Sequence, residues 1–109
     1  MSKTDPVDAF LPLKTNWFHI LLSLSEQPQH GYGIMQEVLD RTAGKIRLWP
    51  ATLYGTLKRL MEEGLIDEAE EDDARRIRYR LTKLGRRVLA AESARLRELV
   101  RLLEAKGAI

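Results

Sequence analysis

Apolar side chains recur at three- and four-residue steps from Phe10 through Leu13, Trp17, Ile20, Leu21 and Leu24, the stripe of one amphipathic helix over residues 10–24. Pro28 and the polar stretch 25–30 break that stripe, and Gly31-Tyr32-Gly33 opens a second periodic segment, Ile34, Met35, Val38 and Leu39, predicting a helix to about residue 42. Gly44 stops it. Residues 46–49 then predict a short extended piece, because Pro50 keeps the residue before it out of the helical region and suits the first turn of a third helix. That helix places Leu53, Leu57, Leu60 and Met61 on one side and ends at Gly64.

Beyond it, residues 65–70 and 75–81 predict two strands around a polar turn near Asp72-Asp73-Ala74. Alternation then turns Ile77, Tyr79 and Leu81 inward and Arg76, Arg78 and Arg80 outward. Thr82 suits the N-cap of a last helix over residues 83–105, about 34 Å long at 1.5 Å per residue. Its stripe of Leu84, Val88, Leu89, Leu96, Leu99, Val100 and Leu103 outruns what so small a domain can cover, which predicts a seam for a second copy. The expected fold class is mainly α with a small β-hairpin: a winged helix-turn-helix over residues 1–82 and a C-terminal dimerisation helix over residues 83–109, one compact domain overall.

Composition narrows the function. The 109 residues include no cysteine, which excludes a disulfide framework and thiolate metal sites. The longest apolar stretch, 18–24, is far shorter than a membrane span, and the polar first eight residues do not look like a leader, so a cytoplasmic protein is expected. A net charge of +2 says little by itself, but its distribution is uneven: the acidic run Asp67, Glu68, Glu70, Glu71, Asp72, Asp73 is followed at once by Arg75, Arg76, Arg78 and Arg80.

Three blocks carry a resemblance to a known family. They are His30-Gly31-Tyr32-Gly33-Ile34; Pro50-Ala51-Thr52-Leu53-Tyr54 continuing through Leu57, Arg59, Leu60, Glu62, Gly64, Leu65 and Ile66; and Arg75 through Thr82 with Gly85. In order and spacing the chain resembles the PadR-type transcriptional regulators, named for control of phenolic acid decarboxylase, and among them the short members with a single C-terminal helix. It departs from them at Ala51, where glycine is frequent, and at Trp49, where a small polar residue is. The resemblance implies a sequence-specific, homodimeric repressor on a pseudo-palindromic operator. It also implies dimerisation through the last helix, and release by a flat aromatic or hydrophobic effector.

The candidate DNA contacts are Tyr32, Thr52, Tyr54, Lys58, Arg59, Arg75, Arg76 and Arg78. Lys58 and Arg59 lie opposite the apolar stripe of the third helix and suit phosphates or guanine edges, Thr52 suits a phosphate or a thymine methyl, and the two tyrosines can donate to phosphate. The wing arginines suit the backbone or the minor groove. The plainer alternatives are that Lys58 and Arg59 pair with Glu62 and Glu63 at helical spacing, and that the hairpin carboxylates pair with the arginines across the strands. Leu89, Leu96, Leu99 and Leu103 are the candidate dimer contacts. Phe10, Trp17, Phe18 and Leu96 are the candidate walls of an effector pocket, although Trp17 and Trp49 read first as core residues.

No cofactor or metal is expected: His19 and His30 are isolated, and the acidic run lacks the glycine of a cation loop. Nothing in the chain positions a nucleophile or an acid–base pair, so an enzyme is not expected. The rival to DNA binding is a winged-helix module that binds another protein with the same surface.

Overall fold

The structure is a computed structural model that describes residues 5–69 and 76–109. A 3-10 turn, Pro6–Phe10, precedes α1 (Thr15–Leu24), β1 (Gln29–His30), α2 (Gly31–Arg41), α3 (Pro50–Glu62), β2 (Ile66–Glu68), β3 (Arg78–Leu81) and α4 (Lys83–Ala105). The strands form one antiparallel sheet in the order β1-β3-β2, pairing Gln29 with Tyr79 on one edge and Asp67 with Arg80 on the other. The winged helix-turn-helix with a long C-terminal helix is the architecture expected from the pattern.

Ile20, Leu21 and Leu24 of α1 meet Ile34 and Val38 of α2 and Leu53, Leu57 and Leu60 of α3 in a fully buried core, closed by Leu65, Ile66 and Val88. Truncating one of these leucines removes transfer energy and leaves a cavity, a loss of about 2–5 kcal/mol. Thr82 ties the head to α4 by three bonds. Its hydroxyl accepts from Gly85 N at 3.0 Å and donates to Gly64 O at 2.6 Å, and its amide donates to Leu65 O at 3.1 Å.

Several expectations are corrected. The first helix begins at Thr15 rather than near residue 10, because Pro12 cannot donate within a helix and disfavours helical backbone at Leu11. Phe10 therefore belongs to the 3-10 turn, which is strapped to α4: Arg87 Nη2 bonds both Asp5 carboxylate oxygens at 3.0 Å, and Leu13 N donates to Glu92 Oε1 at 3.3 Å. The short strand lies at Gln29–His30, where β3 offers a free edge; residues 46–49 have no regular secondary structure and join no ladder among the described residues.

The hairpin strands are shorter than predicted. Ile77 precedes the first laddered residue of β3 and is exposed, not inward. Trp49 is also exposed, not core. The predicted turn at Asp72-Asp73-Ala74, the carboxylates Glu70 to Asp73, and Arg75 lie outside the described residues.

Candidate nucleic-acid interface

α2 begins at Gly31 with no side-chain cap, since His30 has its Nδ1 on the Ile77 carbonyl at 3.2 Å instead. The first amides of α2 are thereby left to solvent or a ligand, at the positive end of the helix dipole. Tyr54 of α3 leans over this end so closely that a Cβ on Gly31 would lie 2.7 Å from its hydroxyl oxygen. A shallow cleft joins His30, Gly31, Tyr32, Tyr54, Arg76 and Tyr79, and a second depression carries on from Tyr32 to Arg76 and Arg78.

Four of the predicted contacts, Tyr32, Tyr54, Arg76 and Arg78, thus converge on one surface around the α2 N-terminus. Tyr32 is exposed, with Gln36 Nε2 donating to its hydroxyl at 3.3 Å. Tyr79, buried beside them, has its phenol pKa pushed up, first by burial and then by the neighbouring Tyr54 and Glu68.

The outward face of α3 carries Thr52, Gly55, Lys58 and Arg59, all exposed, and Gly55 leaves open space where a side chain would stand. Arg59 donates from Nε to Glu63 at 3.1 Å, the helical pairing that the sequence allowed as its alternative role. Lys58 makes no ion pair among the described residues. On the wing, Arg80 donates to Asp67 at 2.8 Å, so one outward arginine is neutralised across the strands.

Two features of this surface escaped the pattern reading. His30 joins the cleft from β1, and Arg47 stacks its guanidinium on Trp49 at 5.0 Å, just before α3. A signal for the second stands in the sequence: from Arg41 to Met61 the chain holds five basic residues, Arg41, Lys45, Arg47, Lys58 and Arg59, and no carboxylate.

The four expected effector-pocket residues do not come together. Phe18 and Leu96 line a largely apolar groove of about 680 Å³ between α1 and α4, with Leu22, Leu89 and Val100. Phe10 and Trp17 pack on each other instead, ring centres 6.4 Å apart, with Lys14 over the Trp17 ring. Along α4 the buried positions end at Glu92, and Leu96, Leu99 and Leu103 are exposed while Leu89 is half-buried.

His19 accepts from Arg41 Nη2 at 3.2 Å, and its pKa is lowered, first by burial and then by that guanidinium. No cluster of metal-ligating side chains occurs among the described residues, and no described helix is long and apolar enough to cross a membrane.

The family model of the transcriptional regulator PadR-like family matches residues 20–91, the span from α1 to the middle of α4. Transcriptional regulator Rv3488 of Mycobacterium tuberculosis is 38% identical over 86 residues, 76% of this chain and 77% of that protein. A PadR family transcription regulator from Clostridium difficile R20291 superposes with a TM-score of 0.69 at 26% identity, covering 82% of this chain and 94% of that one. A PadR-like transcription factor from Bacteroides fragilis gives a TM-score of 0.72 at 24% identity over 93% and 98% of the two chains, a likeness of fold. The chain is therefore a member of the PadR-like family of transcriptional regulators.

Proposed function

We propose that the protein is a cytoplasmic repressor that binds double-stranded DNA as a homodimer on an imperfectly palindromic operator. The observation that carries this reading is the convergence of Tyr32, Tyr54, Arg76 and Arg78 on the uncapped N-terminus of α2, beside the outward face of α3. Donors grouped this way suit a phosphate, and α3, with Thr52, Lys58 and Arg59, enters the major groove. Arg75 and Arg76 follow the backbone from the wing. Residues 1–82 form the reading head and residues 83–109 the seam, where Leu89, Leu96, Leu99 and Leu103 meet the second copy. Two heads then reach successive major grooves about 34–36 Å apart.

Occupancy of the operator blocks transcription. A small aromatic or hydrophobic effector entering the groove between α1 and α4 releases the DNA by favouring a dimer whose heads are wrongly spaced. The test is fluorescence anisotropy on the DNA upstream of the protein's own gene, against a scrambled duplex, across a salt series. A preference of about 10³-fold or more that weakens steeply with salt supports the reading. Equal, weak binding to both duplexes removes that operator, and no binding to any duplex at low salt points to a protein-binding module.

A further inference from the structure

Trp49 leaves 62% of its surface in water, although an indole is among the most costly groups to expose. Its placement follows from the backbone. Leu48 is fully buried and anchors the segment, while its neighbours on either side, Arg47 and Trp49, are exposed. The Trp49 carbonyl accepts from Leu53 N at 2.8 Å and Pro50 follows at once, so the indole is fixed to the first turn of α3 and moves with it. That turn is open: Pro50, Ala51 and Thr52 are all exposed. The Arg47 guanidinium carbon lies over the ring, 5.0 Å from its centroid, which holds the guanidinium beside the indole without consuming its hydrogen bonds.

The surroundings say what such a plate fits. From Arg41 to Met61 the chain has five basic residues and no carboxylate; Arg41 and Arg59 pair with Glu37 and Glu63, while Lys45, Arg47 and Lys58 make no ion pair among the described residues. An apolar ring in such a basic segment matches a surface that is apolar on its walls and anionic on its rims. A groove of duplex DNA has both, thymine methyls and deoxyribose between lines of phosphate. A protein partner would have to bring its own carboxylates to match the same charge, which duplex DNA carries along its whole length.

We infer that Trp49 is a DNA-contacting residue at the margin of the α3 footprint: its ring packs on the apolar groove wall, and Arg47, held by the ring, meets the adjacent phosphate. The inference rests on the DNA-binding reading above and adds to it a contact made by van der Waals packing rather than charge.

The experiment selects duplexes from a random pool with the wild-type protein, then measures anisotropy on the selected duplex for wild type, W49F, W49A and R47A across a salt series. W49A is expected to bind about tenfold more weakly, with its salt slope flattened by no more than R47A flattens it, while W49F keeps most of the affinity. R47A flattens the slope by about one. Replacing thymines by uracils separates the two walls: a loss for wild type but not W49A assigns the thymine methyl, and no loss beside a weak W49A assigns the sugar. W49A within twofold of wild type overturns the inference and leaves the DNA-binding reading standing. So does a weakened W49A whose melting temperature or sedimenting mass has changed. If the wild-type protein enriches no duplex, the DNA-binding reading itself fails, and the inference with it.

Discussion

The hydroxyl of Tyr54 on α3 occupies the space that a side chain on Gly31, the first residue of α2, would need. The missing side chain lets a phenol from one helix lie over the amide end of another, which joins the two elements of the helix-turn-helix at their solvent ends. Gly31→Ala is expected to swing Tyr54 aside, since its ring tip is the flexible partner in the clash. Stability should change by less than about 1 kcal/mol, while DNA affinity falls several-fold. The same substitution in a Tyr54→Ala background should have no further effect on affinity, and a double-mutant cycle by anisotropy checks this.

Gly85→Ala is expected to be far more damaging. A Cβ there would run into the Leu65 carbonyl, a backbone atom already bonded to Thr82 N, so α4 would have to move away from the β2 side of the head. A loss of roughly 3 kcal/mol is expected, read as a lower urea midpoint.

Glu92 is buried on α4, and the Arg95 guanidinium bonded to it at 2.7 and 2.8 Å holds its carboxyl below the usual range. Burial opposes that effect, and the Leu13 amide adds to it. A carboxyl with a depressed folded pKa adds stability that is fully present above its unfolded pKa, about 4.3, and is lost as pH falls through the folded value. Glu92→Gln should therefore cost about 1–3 kcal/mol at neutral pH, with the gap to wild type closing below about pH 4. Urea titrations at several pH values would show it.

Glu63→Gln is expected to raise DNA affinity two- to threefold at low salt. The substitution frees Arg59 from its pairing and removes a negative charge near the reading face. Because both side chains are substantially exposed, the pair contributes little to folding, and the melting temperature should stay within a degree or two.

Leu99→Glu and Leu103→Glu are expected to give a folded monomer. Both leucines are exposed along α4, so charge there costs the isolated chain little but opposes burial against a second copy. Sedimentation together with circular dichroism distinguishes this from unfolding; a wild-type protein that is already monomeric would remove the proposed seam.

Where local chemistry and pattern agreed, the chain was legible. The span of α4 follows from Thr82 and the stripe behind it, and α3 follows from Pro50 and its leucines. The beginning of α1 was hidden because Phe10 and Leu13 keep helical spacing across Pro12: periodicity counts side chains, whereas a helix also needs the amide that proline lacks. β1 is two residues long, too short for any alternation, and exists because β3 has an edge to fill. Of the candidate sites, Tyr32, Tyr54, Arg76 and Arg78 could be assembled because they flank recognisable starts of elements. The groove between α1 and α4 was only half found. Trp17 and Phe18 are adjacent on one helix and face different neighbours, a choice that depends on where α4 crosses. Trp49 was misplaced by its hydrophobicity, which carries no record of which way Leu48 turns the chain.

One helix, unbroken from Lys83 to Ala105, carries both the residues that dock into the head, Gly85, Val88 and Glu92, and the open leucines beyond. The two sets are consequently in a fixed rotational phase. One residue inserted after Glu92 would turn Leu96, Leu99 and Leu103 by about 100° around the axis relative to the head and advance them by about 1.5 Å. Seven would bring them back to within about 20° of their present direction, a little over 10 Å further out. The length of α4 can therefore change without scrambling this geometry only by numbers of residues close to whole turns, such as about seven or eleven.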